Sequence, residues 1–189
     1  MLASEDICVC GCDVAAPQQL RRSAGQRLAD VLAAFTKQLT HKEWSIIRQH
    51  TNNDDALESS FRQFWSLKEA YAKATGEGLG FDLGRCEFTI DQGSMAAVVA
   101  VDGVHQPLWK FHLHQMGQGH WVAVGRGPIS CIVDAWGGFT STLQCPSVPE
   151  HRHQAALAAP EPPFAMLTVC DMIPNCHKDA YEAAGGEIY

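Results

Sequence analysis

The chain lacks both a hydrophobic leader and any long apolar run. Its first residues, Met1 to Asp6, contain neither the basic segment nor the apolar segment of a secretory signal peptide. No apolar stretch approaches the roughly 20 residues that a helix needs to span a bilayer. We therefore expect a protein of the cytosol that has no membrane partner.

Basic residues are scarce as well. Lys and Arg number 14 against 21 Asp and Glu, which gives a net charge of −7. No basic stripe with interleaved aromatic residues is present, which argues against a nucleic-acid partner. The charge is unevenly distributed along the chain. Residues 17–80 hold nine basic and seven acidic residues, a balance of +2. Residues 150–189 hold two basic and six acidic residues, a balance of −4. An anionic partner is therefore expected to meet residues 17–80.

Paired metal-binding motifs are also missing. His112-x-His114 has no Cys-x-x-Cys partner, and Cys8, Cys10 and Cys12 alternate along one predicted strand. Alternate strand side chains stand about 6.5–7 Å apart, too far to share one tetrahedral zinc ion. The eight cysteines of a chain without a leader are expected to be free thiols in a reducing compartment.

Hydrophobic patterning predicts an α+β fold in which helices pack on one face of an antiparallel sheet. Strands are predicted at Ile7–Ala15, Cys86–Ile90, Ala96–Val101, Trp109–His114 and Trp121–Val124. Helices are predicted over Gln18–Gln38, from the capping box Thr40–Glu43, and from Asn53 or Asp54 to about Thr75. Residues 1–127 are expected to form the domain. Residues 128–189 are expected to form an irregular extension, with a mobile linker at Pro146–Pro163.

The third predicted helix has two different faces. One face is an ordinary core stripe, formed by Phe64, Leu67, Tyr71 and Ala74. Roughly opposite it lie Trp65, Glu69, Lys73 and Gly76. The helix then ends in the glycine-rich turn Gly76–Gly80, whose backbone N–H groups could approach a phosphate. An exposed Glu–Lys pair four residues apart is also a common surface feature, so this face alone leaves two interpretations open.

A carboxylate ends the first predicted strand. Asp13 follows the apolar run Ile7–Cys12 at a point where a buried strand would otherwise stay apolar. A buried Asp needs a partner, usually a metal ion or another cation. The alternative is that Asp13 only accepts a hydrogen bond at the end of the strand.

These two features together resemble a known family. Gly11-x-Asp13, followed after some fifty residues by Trp65-x-x-Lys68-Glu69-x-x-x-Lys73 and Gly76-x-Gly78, is similar to the 4′-phosphopantetheinyl transferases. The amino-acid sequence of this segment is most similar to that of metazoan members of the two-lobed type. The resemblance covers roughly residues 5–125, so it includes every residue of the predicted sheet.

The resemblance implies a reaction and a role for each matched residue. It implies Mg²⁺-dependent transfer of phosphopantetheine from coenzyme A to a serine of an acyl carrier protein, or of a carrier domain of the aminoadipate-semialdehyde dehydrogenase type in lysine biosynthesis. Asp13 and Glu69 would be the metal ligands, and Glu69 would take the serine proton, directly or through a water. The residues implied to bind coenzyme A are Lys68, Lys73, Gly76 and Gly78.

The chain departs from the family pattern in two respects. Ala15 stands where many members carry a second acid, so a water or a backbone group would fill that position. We also expect the first lobe of the two-lobed type to be missing, because the sequence from Met1 opens directly on the segment that resembles the second lobe. The alternative interpretation is therefore a non-catalytic second-lobe fragment that keeps a carrier-docking surface, and self-association through the face left open is expected.

The carrier partner is expected to dock on the modestly basic residues 17–80. Carrier proteins of this class are generally acidic around the serine. The resemblance therefore implies a contact with basic side chains, for which the candidates are Arg21, Arg22, Lys42 and Arg48.

Overall fold

The structure, a computed structural model, describes residues 6–18, 20, 26–134, 138, 147–161 and 163–186. The chain divides into two compact units, Met1–Ala158 and Ala159–Tyr189. The first unit contains the sheet and the longest helix, and it ends at Ala158, whereas the sequence predicted a boundary at residue 127.

The described residues form one antiparallel sheet of six strands. These are β1 Val9–Ala15, β2 Cys86–Ile90, β3 Ala96–Val101, β4 Val104–His105, β5 Lys110–Met116 and β6 His120–Gly127. The order across the sheet is β1-β6-β5-β3-β2, with β4 paired to β3. Strands β2, β3, β5 and β6 form the predicted meander, and β1 adds to its end by pairing with β6.

The described helices are α1 Leu28–Leu32, α2 His41–Ile47, α3 Asp54–Thr75, α4 Glu150–Ala158, α5 Val169–Met172 and α6 Asn175–Ala183. Two predicted helix starts are confirmed by their caps. Thr40 and Glu43 form a reciprocal capping box at α2. The side chain of Asn53 accepts a hydrogen bond from the backbone N–H of Ala56 at α3.

Helix α3 lies on one face of the sheet and supplies much of the core. The predicted stripe is confirmed, since Phe64, Leu67, Tyr71 and Ala74 are all buried. Tyr71 packs with its ring centroid 4.8 Å from that of Trp109, just before β5. The predicted α+β arrangement of helix on antiparallel sheet is therefore confirmed.

The helix predicted over Gln18–Gln38 is wrong at its start. Gln18 has a φ of 57°, in the left-handed region that a right-handed helix cannot contain. Helix α1 begins only at Leu28, and the 3₁₀ turn Ala33–Phe35 follows it. Residues 21–25 lie outside the described residues.

The linker predicted at Pro146–Pro163 is also wrong in part, because it contains α4. His153 on α4 is buried, with Nε2 2.8 Å from the carbonyl oxygen of Leu108. Lys110 Nζ donates to the carbonyl oxygen of Leu157 at 3.0 Å, in the last turn of the helix. Contacts with the sheet therefore fix a helix that its own sequence pattern does not predict.

The second unit, described by itself, contains two short helices. Thr168 and Asp171 form a capping box at the start of α5, and α6 follows after Pro174. Across the described ranges of the whole chain, no helix is both long enough and apolar enough to cross a membrane.

Candidate active site

Gly11 allows β1 to lie unusually close to α3. A Cβ atom at this position would meet the backbone nitrogen of Ala74 at 2.6 Å and its Cβ at 2.8 Å, and would also clash with the carbonyl oxygen of Ala70. The backbone of β1 therefore lies directly against α3 and leaves no room for a methyl group at position 11. This close approach brings the end of β1 beside the polar face of α3.

The approach brings Asp13 and Lys73 into contact. Lys73 Nζ lies 2.7 Å from Asp13 Oδ1 and 3.3 Å from the carbonyl oxygen of Cys12. The Asp13 side chain is 13% exposed and that of Lys73 is 50% exposed. A largely buried carboxylate thus has a cation as its partner, and that cation is on a flexible, half-exposed stem.

Glu69 lies one helical turn before Lys73 and is half-buried. Burial raises the pKa of its carboxyl group, the negative charge of Asp13 raises it further, and Lys73 lowers it in part. The effect of Asp13 on this pKa means that the two carboxylates are close enough to repel each other. The structure therefore brings two carboxylates and one ammonium group together where β1 meets α3.

The resemblance implies that Lys68 binds coenzyme A, but the structure places this residue in the core. Its side chain is 0% exposed, and Nζ lies 2.9 Å from Glu43 Oε2. Nζ also donates to the carbonyl oxygens of Leu83 and Cys86. With three acceptors and no exposed surface, this ammonium group has no path to a phosphate. It joins α3 to α2 and to the start of β2.

Glu43 is the partner that the sequence did not predict. Besides contacting Lys68, its carboxylate accepts hydrogen bonds from the backbone N–H groups of Thr40 and Phe88 at 2.8 Å each. The capping-box pattern identified Glu43 as a helix cap. Nothing in that pattern indicates that the same carboxylate also faces a buried lysine from another helix.

The glycine-rich turn predicted after α3 is present in the structure. Gly76 ends the helix with a φ of 79°, and Gly78 has a φ of 54°. Both glycines are exposed, and an added Cβ at Gly78 would meet no atom within 4 Å. A ligand could therefore approach this backbone closely, and binding of coenzyme A by Gly76 and Gly78 stays a prediction.

Two of the four basic residues predicted to meet a carrier can be located. Lys42 pairs with Glu87 at 3.2 Å on the surface, and the guanidinium of Arg48 lies 5.3 Å from the ring centroid of Trp44. Arg21 and Arg22 lie outside the described residues. Their role in docking stays a prediction.

The tight packing at Gly11 leads to a first test. We expect Gly11→Ala to lower the free energy of unfolding by about 1–3 kcal/mol, because the added methyl must displace α3 or β1. Gly80→Ala is the matched control, since an added Cβ there meets nothing within 4 Å. Urea denaturation of both variants measures the difference, and equal stability would contradict the close approach.

The raised pKa of Glu69 predicts how stability changes with pH. The folded protein holds the Glu69 proton more tightly than the unfolded chain, so stability falls as pH rises through the window between the two pKa values and stays lower above it. Glu69→Gln removes this titration. We expect the variant to melt above the unmodified protein at neutral pH in the presence of a chelator.

The same melting series contains its own control. The difference in melting temperature between Glu69→Gln and the unmodified protein should disappear as the pH is lowered to about 4, where the unfolded carboxyl also becomes protonated. A difference in melting temperature that grows at low pH would show that folding does not raise the pKa of Glu69.

The residues at this site fit the magnesium ion that the resemblance implies. Within the described ranges, no group of three or more His, Cys, Asp or Glu side chains could hold a metal alone. Asp13 and Glu69 offer two carboxylates that repel each other. Mg²⁺ commonly takes one or two carboxylates and completes its shell with waters and substrate phosphates, so this pair suits it.

Comparison with known proteins identifies the family. The family model of the 4'-phosphopantetheinyl transferase superfamily matches residues 9–125, which is more than half of the chain. The chain belongs to this superfamily, and the resemblance predicted from its motifs is confirmed. The matched region contains β1 with Asp13 and α3 with Glu69 and Lys73.

Several curated relatives are similar over part of their length. A phosphopantetheinyl transferase of Thraustochytrium sp. is 36% identical over 102 residues, covering 52% of this chain and 35% of the relative. The human L-aminoadipate-semialdehyde dehydrogenase-phosphopantetheinyl transferase is 35% identical over 95 residues, covering 47% and 30%. The chain thus spans about a third of the length of these relatives.

A solved structure is also similar in outline. It is a holo-(acyl-carrier-protein) synthase from Bacillus anthracis in complex with CoA (3',5'-ADP), with a TM-score of 0.48 and 18% identity. The alignment covers 65% of this chain and 97% of that one.

Proposed function

We propose that this chain transfers the 4′-phosphopantetheine arm of coenzyme A to a serine of an apo carrier protein. The carrier is an acyl carrier protein or a domain of the aminoadipate-semialdehyde dehydrogenase type. The observation that carries the proposal is the meeting of Asp13, Glu69 and Lys73 between β1 and α3, inside the region that matches the superfamily.

Each of these side chains has a role in the proposed reaction. The serine Oγ attacks the phosphorus that bears the pantetheine arm, a new P–O bond forms, and the P–O bond to the nucleotide part breaks. Glu69 accepts the serine proton, and burial suits it for this because a raised pKa makes the carboxylate a better base. Asp13 and Glu69 would hold Mg²⁺, whose charge would offset that of the pyrophosphate.

Lys73 supports the leaving group. Its ammonium pairs with Asp13 in this structure, yet half of the side chain is exposed and its stem is flexible. It can therefore move from the carboxylate to the phosphate that leaves with the nucleotide. A positive charge at that position stabilises the negative charge that develops there.

The test is a carrier-loading assay on this chain. Incubation with coenzyme A, Mg²⁺ and an apo acyl carrier protein should increase the carrier mass by one phosphopantetheine group, as measured by mass spectrometry. A chelator should abolish the increase. A carrier that stays unmodified at high enzyme concentration would contradict the proposal.

The second candidate is a non-catalytic domain that retains the carrier-docking surface. The observation that favours it is that the chain spans only about a third of the length of its curated relatives. Calorimetry distinguishes the two, because a working site should bind coenzyme A with Mg²⁺ in the micromolar range, and the non-catalytic domain should release no heat. Light scattering in the same buffers tests the self-association predicted from the sequence.

A further inference from the structure

The outer edge of β2 is closed by side chains where a further strand would otherwise pair. Among the described strands, β2 pairs only with β3 and lies at the end of the sheet. The carbonyl oxygen of Cys86 accepts a hydrogen bond from Lys68 Nζ. The N–H of Phe88 donates to Glu43 Oε1 at 2.8 Å. Buried edge groups of a sheet need partners, and the ion pair of Lys68 and Glu43 supplies both of them.

Stability alone gives little reason for this ion pair. Both side chains are 0% exposed. The removal of two charges from water costs about as much as their attraction returns, and apolar residues of similar volume often fill a core equally well. Apolar side chains at positions 43 and 68 would leave the edge of β2 without partners. The pair adds direction, because hydrogen bonds fix orientation whereas apolar packing is non-directional.

Lys68 fixes how α3 is rotated about its own axis. An ammonium group has three N–H donors. Its Nζ lies 2.9 Å from Glu43 Oε2 on α2, donates to the carbonyl oxygen of Leu83 at 2.9 Å, and donates to that of Cys86 on β2. These three acceptors come from three different segments of the chain. Rotation of α3 would break the contacts, so they hold the helix in one orientation.

Glu69 is the next residue on α3, so its direction depends on that orientation. A carboxylate about 6 Å from the axis moves by about 2 Å when a helix turns by about 20°. Misplacement of a reacting group by about 1 Å can cost about 100-fold in rate. Asp13 is on β1, so the distance between the two carboxylates depends directly on the rotation of α3.

The same ammonium group also holds the segment that follows α3. Gly76 ends the helix, the turn Gly78–Gly80 follows it, and Leu83 comes three residues later. The hydrogen bond from Lys68 to the Leu83 carbonyl oxygen therefore ties the far end of this segment back to the helix from which it starts. The backbone N–H groups predicted to meet a phosphate lie between these two fixed ends.

We propose that Lys68 and Glu43 are positioning residues of the transfer reaction. They fix the rotation of α3 so that Glu69 faces Asp13, and they fix the glycine-rich turn at its far end. The inference rests on the proposed function and adds to it two residues that touch no substrate. It also gives a reason for a lysine that directly precedes Glu69 and yet cannot reach a phosphate.

Rescue of stability without rescue of rate tests this role. The double variant Lys68→Met/Glu43→Gln has no uncompensated buried charge, but it lacks the donor to the carbonyl oxygens of Leu83 and Cys86. With saturating coenzyme A and Mg²⁺, we expect its kcat per folded molecule to stay about 10- to 100-fold below that of the unmodified protein. The KM for coenzyme A should change by less than about threefold, because neither residue contacts it. Circular dichroism in the same buffer gives the folded fraction.

Arg85→Met/Asp102→Asn is the matched control. The two side chains form an exposed pair 2.6 Å apart that joins the 3₁₀ turn Leu83–Arg85 to the residue after β3, and neither residue is on α3. This double variant should keep both the kcat and the KM of the unmodified protein.

Glu43→Asp is a second variant for the case in which the double variant does not fold. It keeps the negative charge beside Lys68 but is shorter by one methylene. It therefore cannot reach both Lys68 and the N–H of Phe88 unless α2 moves. We expect its kcat to fall by about 10-fold.

The outcomes are distinct. The positioning role alone would be overturned by a double variant whose kcat per folded molecule equals that of the unmodified protein. A rise in KM at unchanged kcat, or an undiminished kcat in folded Glu43→Asp, would overturn it as well. Failure of the unmodified chain to load the carrier would overturn the proposed function, and this role with it.

Discussion

Replacement of Glu69 by glutamine is expected to lower the rate of carrier loading by about 100- to 10,000-fold, the range that a general base contributes. Glutamine keeps the shape of the side chain but cannot accept the serine proton, and it removes one of the two charges offered to Mg²⁺. Mass spectrometry of the carrier over a time course measures the rate. Because the raised pKa indicates that the Glu69 charge destabilises the folded state, the loss should occur in a protein that is at least as stable.

A matched control tests whether the loss of activity is specific to Glu69. Glu150→Gln neutralises an exposed carboxylate on α4 whose contact is a hydrogen bond from Gln154. It should load the carrier at the unmodified rate. Full activity in Glu69→Gln would show that another group takes the serine proton and would remove Glu69 from the reaction.

The site residues that the sequence predicts best are those fixed by a regular pattern. Helix α3 has a core stripe with helical period and an Asn53 cap, and its start and end are both observed as expected. Given that helix, a glycine two residues before Asp13 on a neighbouring strand is enough to place the carboxylate beside Lys73. Local pattern and one close contact thus determine this part of the site.

Lys68 shows where such a pattern is insufficient. It is adjacent to Glu69 in the motif, and a charged residue is ordinarily placed on the surface. Yet positions 61, 64, 68, 71 and 75 recur at helical spacing and are all buried, so Lys68 lies inside the core stripe. The stripe could have predicted that Lys68 is buried. Its pairing with Glu43 could not be predicted in this way, because that contact depends on tertiary packing.

Helix α4 was missed for a different reason. Its segment is short and has weak amphipathic character, so its own sequence does not favour a helix over a linker. Contacts from elsewhere stabilise it, including hydrogen bonds from Arg126 and Lys110 to the carbonyl oxygens of its last turn. Basic side chains at the carboxyl end of a helix satisfy unpaired carbonyls and interact favourably with its dipole.

The buried pair of Lys68 and Glu43 predicts the largest change in stability. We expect Lys68→Met to lower the free energy of unfolding by about 3–5 kcal/mol, because it leaves the carboxylate of Glu43 buried without its cation. The exposed pair of Lys42 and Glu87 provides the matched control. Lys42→Met should cost less than about 1 kcal/mol, since water already solvates both of these charges.

The double variant Lys68→Met/Glu43→Gln separates lost charge balance from lost packing. Glutamine removes the uncompensated charge, and its carbonyl oxygen can still accept a hydrogen bond from Thr40 or Phe88, so the double variant should be more stable than Lys68→Met alone. Urea denaturation of the unmodified protein, the single variants Lys68→Met and Glu43→Gln, and the double variant gives the coupling energy. If Lys68→Met costs no more than Lys42→Met, the ammonium of Lys68 is solvated rather than buried, and binding of coenzyme A by Lys68 would again be open.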